Sequence, residues 1–215
     1  QAVARDFVAL LARVLARRGN RVGMMIYGNK VDTVIPPGAG RRHVLHLINR
    51  MLTRPAAAPG ATDLAELLGT ALRALKRRAL LFVVSDFISR PGWAPLLARL
   101  AQRHEVVAIR LYDPLEHELP DLGAMTFQDA ETGEQLWIDT HDAGFRKRFA
   151  AAAEKREAAL RGALADAGVD TLELSTVDDL VEAILRFADL RKRRRPLSAG
   201  GRLPGHLAGG RGAAR

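Results

Sequence analysis

Cysteine is absent from the 215 residues, which excludes a disulfide framework, a thiolate metal site and a cysteine nucleophile. It agrees with a reducing, cytoplasmic location. No apolar run approaches the ~20 residues that a membrane-spanning helix requires, and no signal-peptide pattern is present. The common fingerprints of chemistry are missing too. There is no G-x-G-x-x-G between a strand and a helix, no G-x-x-x-x-G-K-[ST], and no G-x-S-x-G elbow. These absences point away from an enzyme.

Acidic residues are lacking from one end of the chain. Residues 191–215 hold eight Lys and Arg and no Asp or Glu, which leaves 25 bases and 24 acids in residues 1–190. The formal charge of +9 therefore describes a tail, and the body is nearly neutral. With 48% hydrophobic and 27% charged residues the chain reads as globular. The expected organisation is one domain over residues 1–190 and a disordered basic Gly/Arg-rich tail over 191–215. Such a tail holds phosphate backbones or anionic surfaces weakly and without selectivity, because it has no aromatic side chain to stack on bases.

What is present is an alternation of periods. Residues 2–17 place Val3, Phe7, Leu10, Leu11, Val14 and Leu15 on one helical face, closed by Gly19-Asn20. Strands at 22–27 and 30–35 flank Gly28-Asn29 as a hairpin, which Pro36-Pro37-Gly38 is expected to end. Helices follow at 40–53 and 63–78, the second opened by an acidic capping box, Asp63 to Glu66. Nearly continuous apolar runs at 79–86 and 105–113 read as buried parallel strands on either side of a helix at 92–103. A second hairpin surrounds Ala130–Gly133, a long helix covers 142–167 up to Gly168, and a strand follows at 169–175. Thr176 is expected to cap a last helix over 177–190. This pattern predicts an α/β domain with a largely parallel sheet and helices on both faces. Function in such sheets gathers at the C-terminal strand ends.

Few residues offer chemistry. His43 and His46 stand at i and i+3 on one helix but have no recognisable third ligand, so a half-buried or solvated face is expected. Ser85-Asp86 ends the first buried strand, and Thr62-Asp63 lies at a loop-to-helix junction that faces the same sheet edge. Hydroxyl and carboxylate oxygens suit a hard cation such as Mg²⁺. Capping explains the same residue types, with Asp63 on its helix and Asp86 on a βα turn.

The wording and order of several segments resemble a known family. RVGMMIYGNKVDTVIPPGAGRRHVLHLINRML, GATDLAELL, LLFVVSDFIS and HEVVAIRLYDPLEHELPDLG, followed by DAETGEQLWIDT and FRKRFAAAAEKREAAL, are similar to the bacterial von Willebrand factor A-like proteins catalogued as domain of unknown function 58. The resemblance implies a von Willebrand A-type Rossmann-like fold with a metal-ion-dependent adhesion site. Thr62 matches its loop Thr, and Asp86 matches its strand-end Asp. The Asp-x-Ser-x-Ser run that completes such a site does not occur in the chain, which begins Gln-Ala-Val within a helical pattern. The expectation is therefore a domain whose central first strand is absent, with weak Mg²⁺ binding and exposed or collapsed apolar surface between strands 22–27 and 79–86. The resemblance further implies a non-enzymatic adaptor partnered with a MoxR-type AAA+ ATPase. A metal-dependent phosphoryl hydrolase using Asp86, and nucleic-acid or acidic-surface binding by the tail, are the alternative readings.

Overall fold

A computed structural model describes residues 2–17, 19–28, 31–54, 62–128 and 135–185. The turn at Asn29, the tip of the second hairpin and the basic tail lie outside the described residues. The elements run α1 (Ala2–Arg17), β1 (Val22–Tyr27), β2 (Val31–Gly38), α2 (Arg41–Leu52), α3 (Leu64–Ala74), β3 (Leu80–Ser85), α4 (Trp93–Arg103), β4 (Glu105–Tyr112), β5 (Ala124–Gln128), β6 (Gln135–Asp139), α5 (Ala143–Asp166) and β7 (Asp170–Ser175). Residues 1–177 form one compact unit and residues 178–215 a second. Within the second unit residues 180–185 are helical.

The strands of the described residues form three sheets. β3, β4 and β7 make a parallel sheet with β4 in the middle, while β1–β2 and β5–β6 are antiparallel pairs. A single, mostly parallel sheet was the expectation. The two antiparallel pairs are the expected hairpins, whose connections are too short for a crossover, and α4 and α5 provide the parallel returns; the difference is that neither hairpin joins the β3–β4–β7 sheet. β1 and β3 are not hydrogen-bonded to each other. Leu80 is 39% exposed and Leu81 to Ser85 are half-buried, although Val106 to Arg110 of the neighbouring β4 are all buried.

The core gathers on the β4 row Val106 and Ala108. Leu64 and Leu68 of α3, Trp93, Leu97 and Leu100 of α4, and Leu164 and Ala167 around the end of α5 pack with them. On α1 the expected apolar face is only partly used, with Phe7 buried and Val14 42% exposed. No helix among the described residues is long and apolar enough to cross a membrane.

Three boundaries depart from expectation. β2 continues through Pro36 and Pro37, because the register slips between Val22↔Gly38 and Met24↔Ile35. The prolines thus sit at a bulge, where ladder donors are not needed. Gly23 permits this close approach, since a Cβ there would lie 2.8 Å from the Ile35 carbonyl oxygen and 2.9 Å from Pro37 N. α3 stops at Ala74 rather than residue 78, which leaves residues for the reversal into β3. The last helix is capped by Asp179, whose Oδ1 accepts from Val181 N at 2.8 Å and Glu182 N at 3.1 Å. Thr176 is drawn away from capping, because its N–H donates to the Tyr112 carbonyl at 2.9 Å and its hydroxyl lies 3.4 Å from Asp113 Oδ2. By contrast, Asp142 caps α5 through Gly144 N and Phe145 N, and Gly168 ends that region at φ 67°.

A charged group also sits in the middle of β4. Arg110, 3% exposed, points toward α5 and donates to both oxygens of Glu157, at 2.6 and 2.5 Å. Glu173 of β7 stands 4.0 Å from Arg110 and accepts from Arg161 at 3.2 Å, so two cations and two carboxylates alternate. The Tyr112 ring lies 5.1 Å from the guanidinium. Removing one partner strands a buried charge, whereas removing both does not. Glu157→Leu is expected to cost about 3–5 kcal/mol, and Arg110→Met/Glu157→Leu to recover most of it; urea midpoints of the three proteins check this.

His104, at the C-cap of α4, is 5% exposed, and neither ring nitrogen has a hydrogen-bond partner among the described residues. Burial, helped by the Arg103 charge, lowers its pKa below the ordinary histidine value. The unfolded chain then takes up a proton near pH ~6.5 while the folded one does not, so stability is lost as pH falls from there. His104→Leu should add about 1 kcal/mol at neutral pH and flatten the acid limb. Denaturation at about pH 7 and about pH 5 measures both effects.

Candidate functional site

The C-terminal edge of the parallel sheet is assembled from the loops after β3 and β4 and from the loop that enters α3. The apolar run of β3 ends in Ser85 and Asp86, and the chain reverses at once. Ile88 N donates to Asp86 Oδ1 at 3.0 Å and Phe87 N to the Ser85 hydroxyl at 3.0 Å. Asp86 therefore organises a tight side-chain turn rather than capping α4, whose N-cap is Gly92. Phe87 adopts φ 61°, a left-handed conformation that a bulky residue rarely takes. Its side chain holds it there, 5% exposed and 5.3 Å from the Trp93 ring.

Thr62 reaches the same edge through Ser89. The Ser89 hydroxyl donates to the Thr62 carbonyl at 3.1 Å and accepts from Leu64 N at 2.9 Å, and Arg90 N donates to the same Thr62 carbonyl at 3.1 Å. The loops that carry Thr62 and Asp86 are thus stitched together by three hydrogen bonds. Asp63 does what its capping pattern predicts, accepting from Glu66 N at 3.2 Å. The second half of the capping box is rewired. The Asp63 N–H goes to the Tyr27 hydroxyl at 3.2 Å, and Glu66 accepts from Val31 N at 3.4 Å, so both residues tie α3 to the first hairpin. Burial raises the Tyr27 pKa above its ordinary value.

Two further carboxylates, which sequence reasoning did not single out, follow β4. Asp113 and Glu116 form a capping box around a short 3-10 turn, Pro114–Glu116. The signal was present, because Asp113-Pro114-Leu115-Glu116 has capping-box spacing directly after an apolar strand. Burial raises the Glu116 pKa above the usual carboxylate range, and the negative charges of Asp86 and Asp113 add to that rise against the lowering by the Asp113 N–H bond and Arg110. Exposed Ile88 and Leu115, 55% and 48% accessible, belong to the same two loops.

His43 and His46 do not converge on a metal. His43 Nε2 lies 2.7 Å from the Val22 carbonyl and fastens α2 to β1, whereas His46 is exposed. The ring of His43 also explains Gly38, because a Cβ there would fall 2.5 Å from His43 Nδ1. Among the described residues no three His, Asp or Glu side chains are arranged to hold a metal ion.

The acidic field makes a direct prediction. Asp86→Asn keeps an oxygen for Ile88 but removes one negative charge, so the Glu116 pKa should move down toward its ordinary value. A raised carboxyl pKa means the folded state holds the proton more tightly, so stability falls as pH rises through the Glu116 transition. That fall should be smaller in the variant. Carboxyl-carbon NMR titration of Glu116 in both proteins is the check.

A family model described as protein of unknown function DUF58 matches residues 1–159. An uncharacterized protein of Mycobacterium tuberculosis is 34% identical over 189 residues, covering 87% of this chain and 57% of its own. An uncharacterized protein of Mycobacterium avium is 37% identical over 162 residues, which are 75% of this chain and 95% of that protein. The chain thus spans little more than half the length of the M. tuberculosis relative. Among solved structures, the conserved hypothetical protein BatB from Bacteroides thetaiotaomicron is similar with a TM-score of 0.53 at 14% identity, over 90% of this chain and 88% of that one. That likeness is one of fold. The sequence matches, covering most of the chain at more than 30% identity, place it in a family: this protein belongs to the DUF58 family.

Proposed function

We propose that the chain forms most of a von Willebrand factor A-like, non-catalytic interaction module of the cytoplasm. Its C-terminal sheet edge recognises a protein partner through a cation held in part by Thr62 and Asp86. The observation that supports this reading is the bonding of Ser89, in the loop that follows Asp86, to the backbone of Thr62 and Leu64. The raised Glu116 pKa supports it, because carboxylates gathered at a half-buried edge are relieved by a cation. Bound Mg²⁺ would supply positive charge and an open coordination position for one carboxylate oxygen of the partner. Exposed Ile88 and Leu115 give that partner apolar surface beside the charged centre.

The remaining cation ligands belong, on this reading, to an Asp-x-Ser-x-Ser run that the chain does not contain. The proposed partner is a MoxR-type AAA+ ATPase, with this module as its adaptor. Pull-down of such an ATPase by the intact protein is the test, with Mg²⁺, with EDTA, and with Asp86→Ala or Thr62→Ala. Recovery should drop about tenfold or more on chelation and in the Asp86 variant, as expected on losing a charge-assisted contact. Equal recovery in every lane refutes the cation-dependent mechanism.

A further inference from the structure

The three parallel strands end in one repeated device. Asp86 after β3 accepts the N–H of Ile88 at 3.0 Å, and Asp113 after β4 accepts that of Leu115 at 3.0 Å. Ser175, the last residue of β7, accepts that of Val177 at 3.4 Å. Each polar side chain folds back onto the backbone two residues on, and that residue is aliphatic and exposed in all three turns, Val177 to 79%. The turn itself sets no requirement on that side chain, and loops favour polar ones there. β3, β4 and β7 are neighbours in that order, and the Thr176 hydroxyl lies 3.4 Å from Asp113 where the last two strands end. Neighbouring strands stand about 4.8 Å apart, so three strand ends span about 10 Å. Ile88, Leu115 and Val177 therefore make a short apolar row along the sheet edge. Residues 86–92 and 113–119 beside it carry four acids and one arginine, Arg90.

α2 presents the complementary surface. Val44 and Leu47 are buried, which leaves another face of the helix turned outward. That face carries Leu45 and Leu52, each 55% exposed, with half-buried Ile48 between them. The spacing is i, i+3, i+7, which makes one stripe about 10.5 Å long. Exposed Arg41 and Arg42 stand one turn before Leu45, and no acidic residue occurs anywhere in α2. Row and stripe thus match in length and apolar character and are opposite in charge. Two α2 faces would set arginine against arginine, and two strand-end edges would set carboxylate against carboxylate, so both symmetric contacts are disfavoured. The contact between unlike surfaces is favoured, and the crowding of negative charge felt at Glu116 is relieved by an incoming guanidinium.

We propose that copies of this chain associate head to tail, the row Ile88–Leu115–Val177 of one copy receiving the Leu45–Ile48–Leu52 stripe of α2 from the next. Arg41 and Arg42 of the incoming helix face the carboxylates beside the row. The contact is heterologous, so every copy can use one surface of each kind. It needs no bound cation and does not rest on the proposed adaptor role. A copy seated on the row covers the edge where the proposed partner binds, so self-association withholds that edge.

Sedimentation velocity of the whole chain in EDTA, from micromolar to about 1 mM, tests this without metal or ATPase. The sedimentation coefficient should rise with concentration. A row variant, Ile88→Ser/Leu115→Ser/Val177→Ser, and a stripe variant, Leu45→Gln/Leu52→Gln, should each associate about tenfold or more weakly. All five positions are exposed, so the substitutions spare the core, and thermal melting checks the fold. Arg41→Glu/Arg42→Glu, which keeps the apolar stripe, should weaken association in the same direction. Mixed together, the row and stripe variants should form a 1:1 complex, because one intact stripe then meets one intact row. A wild-type chain that stays monomeric throughout overturns the proposal. So do variants that associate as strongly as wild type, or a mixture no more associated than its two components.

Discussion

The buried fork between Arg110 and Glu157 is the constraint on which the upper half of the molecule depends. A guanidinium in the middle strand of a parallel sheet loses its water on folding, and the two-point bond to Glu157 offsets that loss. The bond is possible only if α5 crosses β4 at one angular setting and one height. Those settings also place Leu164 and Ala167 against the Val106 and Ala108 row, so polar and apolar contacts fix the same docking. Arg110 pairs in register with Ser85 on one side and Glu173 on the other. The fork therefore anchors the row immediately below the edge from which Asp86 and Asp113 emerge.

Above that row the loops are held by hydrogen bonds and by the buried ring of Phe87. Ser89 joins the entry to α3 with the exit from β3, and Thr176 extends the β4–β7 pairing by one residue through the Tyr112 carbonyl. Phe87 stores strain at the tip and anchors it with its ring on Trp93. An edge built in this way is rigid at its base. It concentrates carboxylates, and Glu116 feels that concentration as an upward pull on its proton.

The sequence makes some of this legible and hides the rest for physical reasons. Hairpins, crossovers, the Asp63 cap and the Gly168 stop depend on neighbours a few residues away, and local pattern reveals them. Asp86 and Thr62 were visible because strand ends and helix entries can be located. Their joining was not, since Ser89 is 27 residues from Thr62. The Arg110 partner is 47 residues distant, and nothing in an apolar strand announces which helix will neutralise its single charge. Thr176 and Asp179 are equally good caps in sequence, and only the pull of β4 on Thr176 decides between them. Prolines in β2 misled for a similar reason, because a bulge is a property of two strands and not of one.

Charge teaches the same lesson at a larger scale. Residues 1–190 sum to nearly zero, yet residues 1–54 hold ten bases against two acids and residues 55–190 hold fifteen against 22. The body's near-neutrality thus conceals an uneven distribution along the chain, basic over its first 54 residues and acidic over the rest, and the strand-end carboxylates Asp86, Asp113 and Glu116 belong to the acidic part.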